Sequence, residues 1–329
     1  MTIHKFLKWD LHNNKFQHNE KQPLNFDLII IDEMSMVDTI LFNHLLLANI
    51  NLHKLVLVGD PHQLPSINSG NVLLDLIKDN WLNIITLKQV YRQKEKSEII
   101  NLAYQVKQQN TNYEFKENNE VFFVEEYNSE DLLLNITNLF INLVEKSNIL
   151  DVQILASMYN GCCGIISINE KIQEIYNPFS EDKPEFKSNN ILFRLGDKVM
   201  QNKNDSEKDI YNGDMGIIKE IVKKDNKVVI RVQYDNRLIS YEQNELNNLI
   251  LGYTISVHKS QGSEYPFIIM VLDRSNSYML KNNLIYTAIT RAQKQLYLLG
   301  QKTQFYQAIK KIDSLRLTTL NLRIKNFIT

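Results

Sequence analysis

Leu28-Ile29-Ile30-Ile31-Asp32-Glu33 and Leu55-Val56-Leu57-Val58-Gly59-Asp60-Pro61 decide how this chain is read. Each is a compact apolar run that stops on polar residues. Uncharged runs of this length suit strands covered on both faces. Acids or a Gly-Pro turn at the carboxyl end suit the crevice edge of a parallel sheet. Val37 to Asn49, between the two runs, has helical spacing. Working outward, residues 1–9 predict a short helix with Ile3, Phe6 and Leu7 on one face. Residues 10–26 are polar, with Asn13-Asn14 as a turn and Pro23 as a stop. Residues 71–80 predict a helix and Ile84 to Leu87 a third strand. Helices follow over 97–109, 129–146 and 164–176, with a strand at Ile154-Leu155-Ala156. Strands alternating with helices place the chain in the α/β class.

From Phe193 to about Asn248 the period changes. Lys198-Val199-Met200, Gly216-Ile217-Ile218, Val228 to Val232 and Leu238 to Tyr241 are short β segments. Asn212-Gly213-Asp214 and Asp225-Asn226 serve as turns. This is a small barrel-like insert. α/β character resumes with strands at Tyr253 to Val257, Phe267 to Leu272 and Leu296 to Leu299. Helices are expected near 258–263, 282–292 and 303–311.

The composition is that of an ordinary globular protein, with 43% hydrophobic and 23% charged residues over 329 positions. No uncharged apolar run approaches the length of a membrane span, and the N-terminus has no signal-peptide h-region; a cytoplasmic location is expected. The two cysteines, Cys162 and Cys163, are adjacent and supply neither a disulfide framework nor a four-ligand zinc site. The net charge of −1 gives no basic excess, so any nucleic-acid contact must come from local placement.

Five segments carry chemistry. Asp32-Glu33 can hold a hydrated Mg²⁺ through one carboxylate while the other orients or deprotonates a water; alone, it is equally an acidic helix cap. Gly59-Asp60-Pro61-His62-Gln63-Leu64-Pro65 brings an amide, Gln63, to a strand end; alone, it is better read as a turn. In Tyr91-Arg92-Gln93, Arg92 could neutralise charge in phosphoryl transfer; a single arginine is more often a surface ion pair. In the stretch from Thr254 to Glu264, Gly262 suits close approach to a phosphate or sugar. The helix Tyr286 to Ala292 places Arg291 among small residues; alone, each of these last two segments is equally a capped helix or core packing. Tyr159, Tyr211 and Tyr253 are candidates for stacking on bases, with packing the better reading of any one.

In this order the segments resemble the motifs of superfamily 1 helicases, closest to the RecD-like branch that includes the exodeoxyribonuclease V alpha chain. Thr2-Ile3-His4 is similar to motif Ia, Asp32 to Met36 to motif II and Gly59 to Ser66 to motif III. Val90 to Gln93 is similar to motif IV, His258 to Glu264 to motif V and Tyr286 to Ala292 to motif VI. The resemblance covers essentially the whole chain, and motifs V and VI are the most specific. It implies an ATP-dependent DNA helicase that moves 5′ to 3′ on single-stranded DNA and opens duplex DNA. Asp32 would hold Mg²⁺, Glu33 would activate water, and Gln63 would couple the γ-phosphate to DNA. Arg92 and Arg291 would be arginine fingers. Gly262 and Glu264 would approach ATP. Thr2, His4, Ser66, His258 and Ser260 would line the DNA track. The implied fold has two RecA-like parallel-sheet domains, the first incomplete, and an SH3-like β-barrel insert. The boundaries are 1–90 for the first domain, 91–193 plus 250–329 for the second and 194–249 for the insert. Segment 10–26 falls where relatives carry a pin hairpin, with Phe16 and His18 as its tip. RecB- or RecC-like subunits are implied partners.

One departure stands against these matches. No G-x-x-x-x-G-K-[ST] occurs, so the phosphates lack a backbone cradle, a lysine and a Ser/Thr for Mg²⁺. The loop would have to precede Met1. Three explanations stay open. The chain is a fragment, or a separate N-terminal polypeptide supplies the loop, or the protein is a catalytically inactive DNA-binding or subunit-interaction remnant.

Overall fold

A computed structural model describes all residues except 11–12, 79–81, 88–96, 117–118, 225–226, 314–315 and 329. The chain divides into two compact units, residues 1–90 with 313–329, and residues 91–312. The C-terminal stretch therefore groups with the first unit, although the sequence reading attached it to the second domain.

In the first unit, α1 (Ile3–Phe6) is capped by the Thr2 hydroxyl, which accepts the Lys5 amide at 3.2 Å. A short hairpin, β1 (Trp9–Asp10) with β2 (Lys15–Phe16), pairs Trp9 with Phe16. β3 (Leu28–Ile31) and β4 (Lys54–Leu57) form a parallel pair, joined through α2 (Thr39–Leu47). Asp38 starts α2 by accepting the Leu41 amide at 2.8 Å. α3 (Val72–Lys78) follows. Leu7, Phe16, Ile31, Met34, Leu45 and Val72 form the core of this unit.

Three expectations change here. β3 is not covered on both faces: Ile31 is 5% exposed, but Leu28 is 48% and Ile30 63% exposed. Alternate residues of a strand point to opposite faces, and only one face of this pair has a partner layer. Residues Ile84 to Leu87 form no strand, and Ile85 and Leu87 stand more than four-fifths exposed. Phe16 is buried between Trp9 and His44 and cannot be a hairpin tip. His18 lies beyond the strand with its ring at the Gln22 carbonyl. Asn13 and Asn14 are in a turn ahead of β2.

The C-terminal helix (Leu320–Ile328) sends Leu320 and Ile324 against the core of the first unit. Ahead of it, Arg316 donates to the carbonyls of Ser66 (2.7 Å), Asn68 (2.6 Å) and Gly70 (2.8 Å). Arg316 thus closes the loop that follows Pro65.

The second unit contains α4 (Glu98–Lys107), β5 (Val121–Glu125), α5 (Ser129–Val144), β6 (Val152–Ala156) and α6 (Ile165–Tyr176). A hairpin of β7 (Glu185–Ser188) and β8 (Ile191–Arg194) leads into the insert, which comprises β9 (Lys198–Gln201), β10 (Met215–Lys224), β11 (Lys227–Tyr234), β12 (Arg237–Glu242) and β13 (Leu249–Leu251). The insert is one antiparallel five-stranded sheet, ordered β12-β11-β10-β9-β13. Asn212-Gly213 sits at a turn as expected, with Gly213 at φ 102°; Asp225-Asn226 lies outside the described residues. The chain returns through β14 (Thr254–Ser256), β15 (Tyr265–Leu272), α7 (Asn282–Ile289), β16 (Ala292–Gly300) and α8 (Lys302–Lys310). The main sheet is parallel throughout, ordered β14-β6-β15-β16-β5. β6 is buried at every position, as a continuous apolar run predicts.

Insert and sheet meet at Asp197 and Lys198, both fully buried. The Asp197 carboxylate accepts from Gln173 (2.5 Å), Asn177 (2.7 Å), the Arg194 amide (2.7 Å) and the Tyr253 hydroxyl (2.8 Å). Burial still holds its carboxyl above the ordinary aspartate range. Tyr253 is therefore a core residue and cannot stack on a base. The Lys198 ammonium donates to the Ile149 and Val152 carbonyls and to Gln153. Among the described residues no helix is long and apolar enough to cross a membrane.

Candidate nucleotide and nucleic-acid site

In the first unit, Asp32 and Glu33 leave the carboxyl end of β3. Glu33 sits in the left-handed region at φ 52°, rare for a residue with a side chain. The Asp32 carboxylate accepts the Glu33 amide at 2.8 Å, and the next amide, Met34, donates to the Val58 carbonyl at 2.9 Å. Met34 is fully buried and anchors the turn. Asp32 is exposed and Glu33 half-buried, so both carboxylates can reach a solvent-side ligand.

Gly59 follows β4 where there is no room for a side chain. A Cβ would stand 2.9 Å from Leu73 and 3.1 Å from the Met34 amide. This contact locks the two strand ends together, so that segments 32–36 and 59–66 share one edge. Asp60 accepts the His62 amide at 2.9 Å. The Gln63 carbonyl oxygen (Oε1) is buried with no hydrogen-bond partner. A buried acceptor left unmade is costly, and one in a native fold calls for an explanation.

Thr2 caps α1 and His4 lies on it, both exposed. Desolvation lowers the His4 imidazole below its ordinary value, against the opposing pull of Asp38. Ser66 is 5% exposed, and its hydroxyl donates to the Asn68 carbonyl at 3.1 Å; it is not presented to a strand as expected. Arg92 lies outside the described residues.

In the second unit, the Thr254 to Glu264 segment leaves β14 through a 3-10 turn (Val257–Ser260) and enters β15. Gly262 adopts φ 76°, exposed, with open space where a Cβ would project; this leaves room for close approach. Ser260 is fully buried and its hydroxyl donates to Val257, so it does not face a ligand. His258 is half-buried. Burial lowers the neighbouring Lys259 ammonium, which donates to Asn202 of the insert.

Arg291 stands between α7 and β16. It is 2% exposed, and its guanidinium donates to the Ser263 carbonyl (3.2 Å) and the Thr290 hydroxyl (3.3 Å). The Arg291 carbonyl accepts the Tyr265 amide at 2.9 Å. Gln293 donates to Glu264 at 3.2 Å. Arg291, Gly262 and Glu264 are therefore brought together at the amino ends of β15 and β16.

The sequence reading missed Trp9 and His44, which with His4 and Phe16 wall a cavity in the first unit. It also missed Arg316. Aromatic residues on either side of the Asn13-Asn14 turn were the signal available.

Comparison with known proteins bears on the same segments. Residues 1–128 match an AAA domain model, residues 168–234 the SH3 domain of ATP-dependent RecD-like DNA helicases, and residues 251–299 the UvrD-like helicase C-terminal domain. The ATP-dependent RecD2 DNA helicase of Deinococcus radiodurans is 32% identical over 98% of this chain and 43% of its own length. The RecBCD enzyme subunit RecD of Buchnera aphidicola subsp. Schizaphis graminum is 28% identical over 94% of this chain and 60% of its own. The chain thus spans about half the length of these curated relatives. Among solved structures, the Pif1 helicase of Candida albicans superposes with a TM-score of 0.54 at 16% identity, covering the whole chain and 85% of that structure. A structure of two coordinating Pif1 helicases at forked duplex DNA gives 0.55 at 19%, covering 99% of this chain and 82% of that one. These two likenesses concern the fold alone.

Proposed function

The chain belongs to the RecD-like helicase family over the part of those proteins that it spans, and on that premise we propose that it is the larger part of the motor of an ATP-dependent DNA helicase or translocase. It would act 5′ to 3′ on single-stranded DNA and couple ATP hydrolysis to unwinding of duplex DNA. The observation that carries this reading is the shared edge in the first unit, where Asp32, Glu33 and Gln63 emerge from adjacent parallel strands.

Mg²⁺ beside phosphates needs one or two protein carboxylates and takes its other ligands from water and nucleotide. Asp32 fits that requirement. Among the described residues no cluster of three or more metal-ligating side chains exists, so an ion held by the protein alone does not fit. When bound, the ion would neutralise phosphate charge. Glu33 is the group to take a proton from water, with its backbone held in the turn by the Asp32 carboxylate. The buried Gln63 oxygen is suited to a donor that arrives with the ligand, such as water. Arg92 and Arg291 would answer charge on the transferred phosphoryl group, and Gly262 and Glu264 would lie against the nucleotide. Thr2, His4 and His258 remain candidates for the DNA track. Ser66 and Ser260 would join it only after giving up their present hydrogen bonds.

The residues present fit a nucleotide in part, because the phosphate cradle is not among residues 1–329. We assign it to a separate N-terminal segment or polypeptide. RecB- or RecC-like subunits are further partners suggested by the relatives, and a cytoplasmic location fits the same reading. A second reading is a catalytically inactive DNA-binding or subunit-interaction remnant. Glu33→Gln separates the two. In the ATP-hydrolysing assembly it should cut turnover by about a hundredfold or more and leave DNA affinity unchanged. Undiminished turnover would remove Glu33 from the mechanism.

A further inference from the structure

The first unit holds a cavity of about 450 Å³ between the β1–β2 hairpin and α2 that the hydrolytic residues do not use. Its wall is a run of rings. Trp9 meets Phe16 edge-on with centroids 4.7 Å apart, and Phe16 lies 5.0 Å from His44. His4 joins at 5.7 Å from Phe16 and 6.2 Å from Trp9. Trp9 is 37% exposed. Around the rings stand Asn14, Asn19, Asn68 and Lys15. The Asp38 carboxylate is already engaged by the Leu41 amide and the Asn68 side chain, at 2.8 and 2.9 Å.

The ligand class follows from this combination. A partly exposed indole with neighbouring rings offers a stacking face. Asn19 is already engaged by the Phe16 and Gln17 carbonyls and the Lys21 amide, and Asn68 by Asp38; the Asn14 amide can both donate and accept, as the edge of a base requires. Lys15 can meet a phosphate. A small free anion would have no use for the rings, and an apolar peptide would offer no polar partner to the Asn14 amide or the Lys15 ammonium. We propose that this pocket takes one unstacked base of a nucleic-acid strand, with Trp9 as its stacking face. The proposal rests on the DNA reading above and adds a base-sized subsite to it.

The test uses the full chain and two oligonucleotides of equal length, one of thymidines and one abasic throughout, at a single salt concentration. Stacking on one aromatic side chain is worth about tenfold in affinity. Trp9→Ala should therefore weaken binding of the thymidine strand about tenfold and leave the abasic strand unchanged, while Trp9→Phe restores most of the loss. In a W81F background, which leaves Trp9 as the sole indole, emission should be quenched by the thymidine strand only. Intact binding of both strands with Trp9 emission unmoved would overturn the pocket and spare the DNA reading. So would equal weakening of both strands by Trp9→Ala. Binding of neither strand to the unaltered chain would overturn the DNA reading itself.

Discussion

Gln63 and Glu33 each hold a conformation or an atom that the fold alone does not reward. Glu33 occupies a left-handed backbone position, which costs a side-chain-bearing residue about 1–3 kcal/mol. The Asp32 cap and the buried Met34 hold it there. Gln63 buries an acceptor with no donor. Strain and unmade bonds of this kind collect where ligands bind. Gln63→Leu should therefore leave the chain as stable or raise its urea midpoint, by up to about 1 kcal/mol, while lowering DNA-stimulated turnover. A clear loss of stability would mean that Gln63 serves the fold. Gly300 is the opposite case. It sits at φ 131° with its α-carbon pressed on β15, and a Cβ would stand 2.3 Å from the Leu272 carbonyl. Gly300→Ala should cost more than about 3 kcal/mol, read as a fall in the denaturation midpoint; an unchanged midpoint would contradict this close packing. The places of Asp32, Glu33, Gly262 and Arg291 next to strand ends were legible in the sequence because their spacing follows the strands; their roles are part of the proposal. Ser66 and Ser260 were read as ligand-facing because a hydroxyl's direction is set by burial, which spacing does not report. Trp9 and His44 were illegible as a pair, since they meet only through the hairpin and α2.

Among elements, the joint between the insert and the main sheet makes the sharpest prediction. Lys198 on β9 is completely enclosed, and burial pulls its ammonium down to about 7, with Asp151 acting weakly the other way. The folded value is below that of the unfolded chain. From about pH 7 up to the ordinary lysine range the unfolded chain binds a proton that the folded one releases, so stability rises with pH there. Below that window both states hold the proton and the charge is buried at full cost. The urea midpoint should therefore rise between about pH 7 and about pH 9, and Lys198→Met should remove that rise. The same substitution strands the Ile149 and Val152 carbonyls, at about 1–3 kcal/mol. A parallel pH profile for both proteins would show that Lys198 stays charged. Elements with a pairing neighbour were legible from period alone, β6 and β15 above all. Val121 to Glu125 was overlooked because β5 is an edge strand, half solvated, paired only with β16. Ile84 to Leu87 is equally apolar and forms no strand; an apolar run becomes a strand only where a partner edge is available to it. The C-terminal helix was missed for a related reason, since its apolar stripe matters only once Arg316 has tied the chain to the 66–70 loop.

At the scale of the molecule, the second unit holds a five-stranded parallel sheet with an antiparallel insert, while the β3–β4 pair of the first unit shows Leu28 and Ile30 to solvent. Apolar surface of this kind marks a place where another layer packs. The proposed N-terminal segment would cover that face and bring the phosphate cradle to Asp32 and Glu33. Family membership was legible across the whole chain because the motif residues occur in a fixed order. The grouping of residues 313–329 with the first unit was not, since no local pattern shows where a chain returns. On the proposed reading, these residues hydrolyse ATP in response to single-stranded DNA once the cradle is supplied. The direct measurement is single-strand-stimulated ATP hydrolysis by the purified chain, alone and mixed with the product of the reading frame immediately upstream. Activity in the mixture, absent from each component and abolished by Glu33→Gln, is the predicted result. No hydrolysis in the mixture, with salt-sensitive DNA binding intact, would contradict the motor and leave an inactive DNA-binding protein.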